Sequence, residues 1–456
     1  MCILSSLLLE KNLLLKIAKP FLRFARLSVL FICLQARPSY AQKTIVSPEI
    51  HPDGRVTFRL YAPSAKEVLL RGSFVAKENT YKTPAGVFGK DGAYVMQENN
   101  GLWTFTSESL PSEIYTYYFE VDGIRQTDSF NPDSVRDVTT YSSRFIIEGG
   151  LADDYVQNEV PHGNVEQVWY DSKIANLPRR RMLVYTPPSY IAASDTAFPV
   201  LYLLHGSGGD ETSWTTIGRL PQIMDNLISQ GRCRPMIVVM PNGIADRAAA
   251  PGEDPYNSSP ASATNVESMF GQIETAFVQE VLGYVESHYR TLDDKAHRAI
   301  AGLSLGGLHA LYISANNPTY FDFVGLFSAQ TTNALTDKRI DEAERVAKKI
   351  GGLYELVPVL KKGKFGQVVS SVVSLTQKGH LAVYENLDEK LKIQFQTPPQ
   401  LYYIALGRDD FVKKLNDDFR LKLSDAGYKY VYHETDGGHT WENWRRYLVD
   451  FLPRIF

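Results

Sequence analysis

Ala299-Ile300-Ala301-Gly302-Leu303-Ser304-Leu305-Gly306-Gly307 is the stretch from which the rest of the chain is read. Its apolar start, Ala299-Ile300-Ala301, reads as the end of a buried strand, and residues 307–314 read as the start of a helix. Between them a Gly-x-Ser-x-Gly turn sets Ser304 at a sharp strand-to-helix reversal. Side chains two residues either side of the serine would collide in so tight a turn, so glycine is needed at 302 and 306. Such a turn holds a serine oxygen clear of the sheet. It also leaves the next backbone N–H, that of Leu305, free to bind an oxyanion.

The chain has 456 residues, enough for two or three domains, with ample apolar and aromatic content to bury a core. Its first forty residues differ from the rest. Lys11, Lys16, Lys19, Arg23 and Arg26 precede the apolar run Leu27-Ser28-Val29-Leu30-Phe31-Ile32-Cys33-Leu34, and Ser39-Tyr40-Ala41 offers small residues for peptidase cleavage. Residues 1–41 therefore read as a secretory signal peptide, with cleavage after Ala41 and a secreted or periplasmic mature protein. The run is too short to span a bilayer comfortably, so no stable membrane span is expected after processing. The leader holds six Lys/Arg, the five named and Arg37, against Glu10, a net +5, so its loss moves the formal charge from −3 to −8. An acidic protein of this kind is not a nucleic-acid binder. Cys2 and Cys33 leave as well, and Cys233 alone can form no intramolecular disulfide.

Residues 44–148 read as an all-β module. Arg55-Val56-Thr57-Phe58-Arg59-Leu60-Tyr61 alternates apolar and polar as a half-buried strand does, and further strands follow at Val68, Leu102 and Tyr115 between Gly-, Asn- and Pro-containing turns. That spacing predicts a β-sandwich. Asp53-Gly54-Arg55-Val56-Thr57-Phe58-Arg59, Ala62-Pro63, Gly101-Leu102-Trp103 and Val121-Asp122-Gly123 resemble the immunoglobulin-like module related to carbohydrate-binding module family 48. The resemblance implies glycan contact. Tyr115, Tyr117 and Tyr118, however, include both faces of one strand, so part of that set is packing. Residues 149–165 read as a linker.

From residue 166 to 456 strands alternate with helices. Arg181-Met182-Leu183-Val184-Tyr185, Val200-Leu201-Tyr202-Leu203-Leu204, Met236-Ile237-Val238-Val239-Met240, Phe323-Val324-Gly325-Leu326-Phe327 and Leu401-Tyr402-Tyr403-Ile404-Ala405-Leu406 are β-rich apolar runs. A helix over 270–289 leads to the elbow strand. This predicts an α/β-hydrolase sheet with flanking helices, ligands binding at the C-terminal strand ends.

Ester hydrolysis needs an activated serine, a base to take its proton and a carboxylate to hold that base. On this fold the chain order is serine, acid, histidine. Only His309, His380, His433 and His439 follow Ser304. His309 lies on the helix after the elbow, His380 in a polar stretch and His433 within a strand-like run. His439 follows Gly437-Gly438 in a loop after a strand and is taken as the base. Gly407-Arg408-Asp409-Asp410-Phe411 follows a strand directly, which makes Asp410 the preferred acid and Asp409 the runner-up; Glu434 and Asp436 read as solvated or structural. Leu305 N–H and Ser207 N–H, the latter in His205-Gly206-Ser207-Gly208-Gly209, are the expected oxyanion donors. His205 reads as structural. Trp214 and Trp441 sit in loops expected to converge on the pocket, either as substrate-binding aromatics or in ordinary packing, and Asn242 in Pro241-Asn242-Gly243 either lines the cleft or serves as a turn residue.

The loop from His205 to Trp214, the elbow from Gly302 to Gly307, the turn from Gly407 to Phe411, and Gly437-Gly438-His439-Thr440-Trp441 with Trp444-Arg445 together resemble carbohydrate esterase family 1 and the wider esterase D-like group. In that family the aspartate closing the Gly-x-x-Asp turn is the triad acid, here Asp410. The resemblance implies a deacylase removing feruloyl or acetyl groups from plant xylan, its partner an acylated polysaccharide, with no metal and no organic cofactor. Other esterase D-like activities (siderophore-ester hydrolysis, acyl transfer) and a non-catalytic glycan-binding protein are the alternatives. One departure is a helical insertion at about 333–380, with helices over 337–349 and 353–375, either a lid over the acyl pocket or a surface elaboration.

Overall fold

Val200-Leu201-Tyr202-Leu203-Leu204 is buried at every position, as expected of a strand covered on both faces. Its side chains divide by parity. Val200, Tyr202 and Leu204 join one apolar cluster, and Leu201 and Leu203 join a second on the opposite face of the sheet. The computed structural model that shows this describes residues 45–75, 82–83, 86–87, 92–173, 177–191, 194–256, 269–331 and 380–456. The expected leader (1–41) and the expected helices at 337–349 and 353–375 lie outside the described residues. Of the described residues, no helix is long and apolar enough to cross a membrane.

In chain order the N-terminal part holds β1 (Val56–Tyr61), β2 (Val68–Gly72), β3 (Leu102–Thr106), β4 (Glu113–Val121), β5 (Ser134–Asp137) and β6 (Thr140–Ile147). Strands β1 and β3 pair in one antiparallel sheet, and β5-β6-β4-β2 run in order through a second. Val56, Phe58, Leu60, Val68, Leu70, Trp103, Tyr115, Tyr117, Phe119, Phe145 and Ile147 fill the space between them. Tyr115 and Tyr117 are therefore core, whereas Tyr118 is half-buried with the Arg125 guanidinium 3.5 Å over its ring.

The second part is an eight-stranded sheet of β7 (Asn164–Asp171), β8 (Arg179–Thr186), β9 (Val200–Leu204), β10 (Ile237–Pro241), β11 (Arg298–Leu303), β12 (Phe323–Phe327), β13 (Leu401–Gly407) and β14 (Val431–Thr435). Their order is β7-β8-β10-β9-β11-β12-β13-β14, antiparallel at β7-β8 and β8-β10 and parallel elsewhere. The elbow helix (α3, Leu305–Asn316) packs on one face, with α2 (Gln272–Phe277), whose run continues through a π turn at Val278–Leu282 to Gly283–His288. The other face carries α1 (Leu220–Ser229) and α6 (Trp441–Phe451); α4 (Leu387–Gln394) and α5 (Lys413–Asp425) complete the flanks. Strand order reverses at β9, and the parallel strands all end on one edge, where α/β sheets bind ligands.

The two parts are not strung on a loose tether. Within 149–165, Tyr155 is 1% exposed and joins the hydrolase-side core with Ile114 and Ala152. Arg445 of α6 is equally buried and donates to Glu113 Oε1 (3.1 Å), Ile114 O (3.2 Å) and Ile217 O (3.0 Å), while Arg446 donates to Glu113 Oε2 (2.8 Å). Glu113 thus carries two guanidinium partners across the junction. Removing one side of such a pair leaves a buried charge uncompensated, at about 3–5 kcal/mol. Glu113→Ala is expected to lower the thermal midpoint by several degrees; an unchanged midpoint would show that the junction contributes nothing.

Candidate active site

Ser304 occupies the turn between β11 and α3 with φ 53° and ψ −116°, a conformation that costs an L-residue on the order of 1–3 kcal/mol. The surroundings impose it. Ser304 N–H donates to Phe327 O on β12 (2.9 Å), and Ser304 O accepts from Leu308 N–H (3.2 Å). The turn closes only because two side chains are missing. A Cβ on Gly302 would stand 2.3 Å from Gly306 O, and one on Gly306 would stand 2.5 Å from both His205 O and Leu204 O.

The loops after β13 and β14 meet each other at the same strand-end edge of the sheet. Asp410 N–H donates to Gly407 O (3.1 Å) and Asp409 N–H to Gly437 O (2.9 Å), so the turn after β13 is stitched to the loop after β14. That approach is again limited by a glycine, since a Cβ on Gly407 would meet Gly437 O at 2.2 Å. Asp410 is 4% exposed, and its Oδ1 and Oδ2 lie 2.9 Å and 3.1 Å from His439 Nδ1. A carboxylate only accepts, so Nδ1 carries the hydrogen and Nε2 presents its lone pair. The imidazole is wedged between the Phe411 and Trp444 rings, at 4.4 Å and 5.0 Å between centroids. Asp409, the runner-up acid, is turned outward and exposed.

The loop after β9 lies against Ser304, for a Cβ on Gly206 would stand 3.3 Å from Ser304 Cβ. Ser207 is exposed there, and Leu305 opens α3. His205 is 2% exposed. Its Nε2 accepts from Gly243 N–H (2.8 Å), so Nδ1 is the protonated nitrogen and donates to Gly206 O (2.8 Å). Burial lowers its pKa to about 4, which keeps it neutral and structural.

Two expected substrate contacts turn out to be interior. Trp214 is 1% exposed, donates Nε1–H to Leu204 O (3.1 Å) and packs edge-on to Trp441 at 5.3 Å, leaving no face for a ligand. Asn242, also 1% exposed, donates to Glu211 Oε2 (2.8 Å) and accepts from Ile244 N–H (2.9 Å), so it is a turn residue. Trp441 alone of the three is half-open. His309 is fully buried with Nε2 at 2.9 Å from Met269 O, and His433 lies on β14 at 3.4 Å from Asp450 Oδ2. His380 opens a 3-10 turn.

Sequence reasoning missed Asn443 and Glu211. Asn443 Nδ2 donates to Gly438 O (2.8 Å) and its Oδ1 accepts from Thr435 Oγ1 (3.1 Å), fastening the His439 loop to β14. Glu211 accepts from Arg181 Nε (2.7 Å), Asn242 Nδ2 (2.8 Å) and Ala250 N–H (2.8 Å). Both are buried; the Glu211 partners lie thirty or more residues away, and the Asn443 contacts, though only five and eight residues off, form only when the loop folds back onto β14, so no local pattern marks either. Cys233 is buried and its thiol is pushed up to about 12, leaving it unreactive.

The His205 arrangement has a pH consequence. Its folded pKa lies below the unfolded value of 6.5, so its contribution to stability is full above pH 6.5 and is lost as pH falls toward about 4. Thermal denaturation from pH 6.5 to 4 should show a steeper loss for wild type than for His205→Asn. Equal slopes would mean that the imidazole titrates normally.

Comparison with known proteins bears on this geometry. The chain is 28% identical over 292 residues to an endo-1,4-beta-xylanase/feruloyl esterase of Xylanibacter ruminicola, covering 62% of this chain and 36% of that protein. It is 27% identical over 252 residues to an acetyl esterase of Caldicellulosiruptor saccharolyticus, covering 55% and 80%. The match thus spans about a third of the first relative's length. Among solved structures, the enterobactin esterase FES from Shigella flexneri aligns with a TM-score of 0.54 at 17% identity over 88% of this chain and 92% of that one, more than the hydrolase part alone supplies. That likeness is one of fold. The family described as "Putative esterase" matches residues 176–455, well over half of the sequence, and the chain belongs to it.

Proposed function

We propose that this protein is a secreted serine carboxylic-ester hydrolase that removes feruloyl or acetyl groups from plant xylan through an acyl-enzyme on Ser304. The observation that carries the reading is the Asp410–His439 pair, hydrogen-bonded at 2.9 Å at the same strand-end edge of the sheet as a serine held at φ 53°. The xylanase/feruloyl esterase and acetyl esterase relatives support the substrate class.

In this mechanism Ser304 Oγ attacks the ester carbonyl while His439 Nε2 takes its proton. Asp410 holds the imidazole in the Nδ1–H tautomer and stabilises the imidazolium that forms. Leu305 N–H and Ser207 N–H receive the negative charge on the carbonyl oxygen, helped by the positive end of α3. The imidazolium then protonates the departing sugar oxygen. Water, deprotonated by the same nitrogen, attacks the acyl-enzyme and releases the acid and free Ser304. Trp441, half-open at the rim, is the remaining aromatic for stacking on an aryl or sugar ring.

The test is acid release from feruloylated and acetylated xylan by the mature protein. Ser304→Ala should abolish it, and Asp410→Asn should lower kcat by about 10³–10⁴-fold by favouring the wrong tautomer. A folded protein whose Ser304 takes up no serine-directed phosphonate would point instead to glycan binding without catalysis. Labelling of Ser304 with no acid released from xylan would favour another ester, a siderophore among them.

A further inference from the structure

The hairpin joining β5 to β6 has an unusual tip. Asp137 pairs with Thr140, so only Val138 and Thr139 form the turn, and Val138 sits at φ 53°. Positive φ in such a turn favours glycine or asparagine; a β-branched residue there is disfavoured by about 1–2 kcal/mol. Local conformation alone would not select valine.

Its side chain has a distant partner. The Val138 Cγ1 and Cγ2 atoms lie 2.5 Å and 3.1 Å from where a Cβ on Gly208 would stand, so the methyls rest on the bare α-carbon of Gly208. Gly208 is itself at φ 76° in the loop that carries Ser207. Arg136 reinforces the contact. It donates from Nη1 to Val138 O (2.9 Å) and from Nη2 to Asp210, a carboxyl 1% exposed that also accepts from Thr212 N–H (3.0 Å) and Thr212 Oγ1 (2.6 Å). Burial pushes the Asp210 carboxyl up, but the Arg136 guanidinium and the Thr212 hydroxyl bring it below its usual range.

The neighbouring residue reaches the other loop. Asp137 Oδ1 accepts from Trp441 Nε1–H at 3.4 Å, two positions after His439. Trp441 packs edge-on against Trp444 at 5.1 Å, and Trp444 edge-on against His439 at 5.0 Å. One hairpin of the sandwich therefore touches the loop expected to bind the oxyanion and the loop that carries the base.

We propose that Arg136, Asp137 and Val138 are positioning residues for ester hydrolysis, clamping the Ser207 loop and the His439 loop in register so that the sandwich is a working part of the active site. The inference rests on the proposed reading of Ser304 and its partners. Loosening the Ser207 loop weakens an interaction made only in the transition state, so it lowers kcat and leaves KM nearly unchanged. Displacements on the order of 1 Å at a reacting centre cost up to about 10²-fold.

Val138→Gly separates positioning from stability, because glycine relaxes the turn while deleting the methyls on Gly208. With 4-nitrophenyl acetate and methyl ferulate, substrates too small to need the sandwich for binding, kcat should fall at least about tenfold with KM within about twofold. The thermal midpoint should be equal or higher. Asp137→Ala should lower kcat in the same way, and Asp137→Asn, which keeps an acceptor for the indole, should restore most of it. An unchanged kcat in Val138→Gly overturns the proposal, as does a loss matched by a falling midpoint. Ser304→Ala run alongside keeps the two readings apart. If it is inactive while Val138→Gly is fully active, only the clamp fails; if it remains active, the assignment of Ser304 fails and the clamp with it.

Discussion

The structure depends on one tight backbone crossing, where the chain leaves β11, turns at Ser304 and enters α3. Gly302 and Gly306 face each other so closely that a methyl on the first would stand 2.3 Å from the carbonyl of the second. Neither the strained φ of Ser304 nor its orientation survives without that closeness. Strain of this kind persists only when the surroundings over-determine it. Here they do so through the Phe327 carbonyl, the first turn of α3 and the backbone of Leu204 and His205 pressed against Gly306.

The same device recurs wherever loops of the site converge. Gly407 admits the Gly437 carbonyl, which lets the Asp410 turn and the His439 loop share hydrogen bonds. Gly206 admits the loop after β9 to within van der Waals range of Ser304, and Gly208 admits Val138 from the sandwich. Each approach is sub-van-der-Waals for any larger residue. The site is therefore an assembly of backbone contacts, with few side chains left to do chemistry. Buried polar groups lock it: neutral His205 bridges two loops, Asn443 ties the His439 loop to β14, and Arg445 with Glu113 fixes α6 to the sandwich.

Much of this was legible in the chain. The elbow, the strand-ending turns at Leu204 and Leu406 and the Gly-Gly-His loop are local patterns, and each landed at the expected strand end. Asp410, preferred over Asp409, is the carboxylate that meets His439. The aromatic and amide contacts were not legible. Trp214, Trp441 and Asn242 read alike as loop residues, whereas Trp214 lies in a short helix and Trp441 opens α6, and only the packing around them decides which face solvent. Trp214 spends its indole N–H on Leu204 O and its ring on Trp441 and Phe327, while Asn242 spends its amide on Glu211.

By itself, then, the sequence determined the order of strands and turns, the place of Ser304 at the strand-to-helix turn and the glycines that make that turn possible. These follow from local sterics and hydrophobic period, which a linear string records. Tertiary structure decided how the sandwich meets the sheet. The Val138–Gly208 contact spans seventy residues of chain, and Glu113 to Arg445 more than three hundred. Such pairings are selected by burial and by the need to satisfy every buried charge, and nothing in the neighbouring residues encodes the partner.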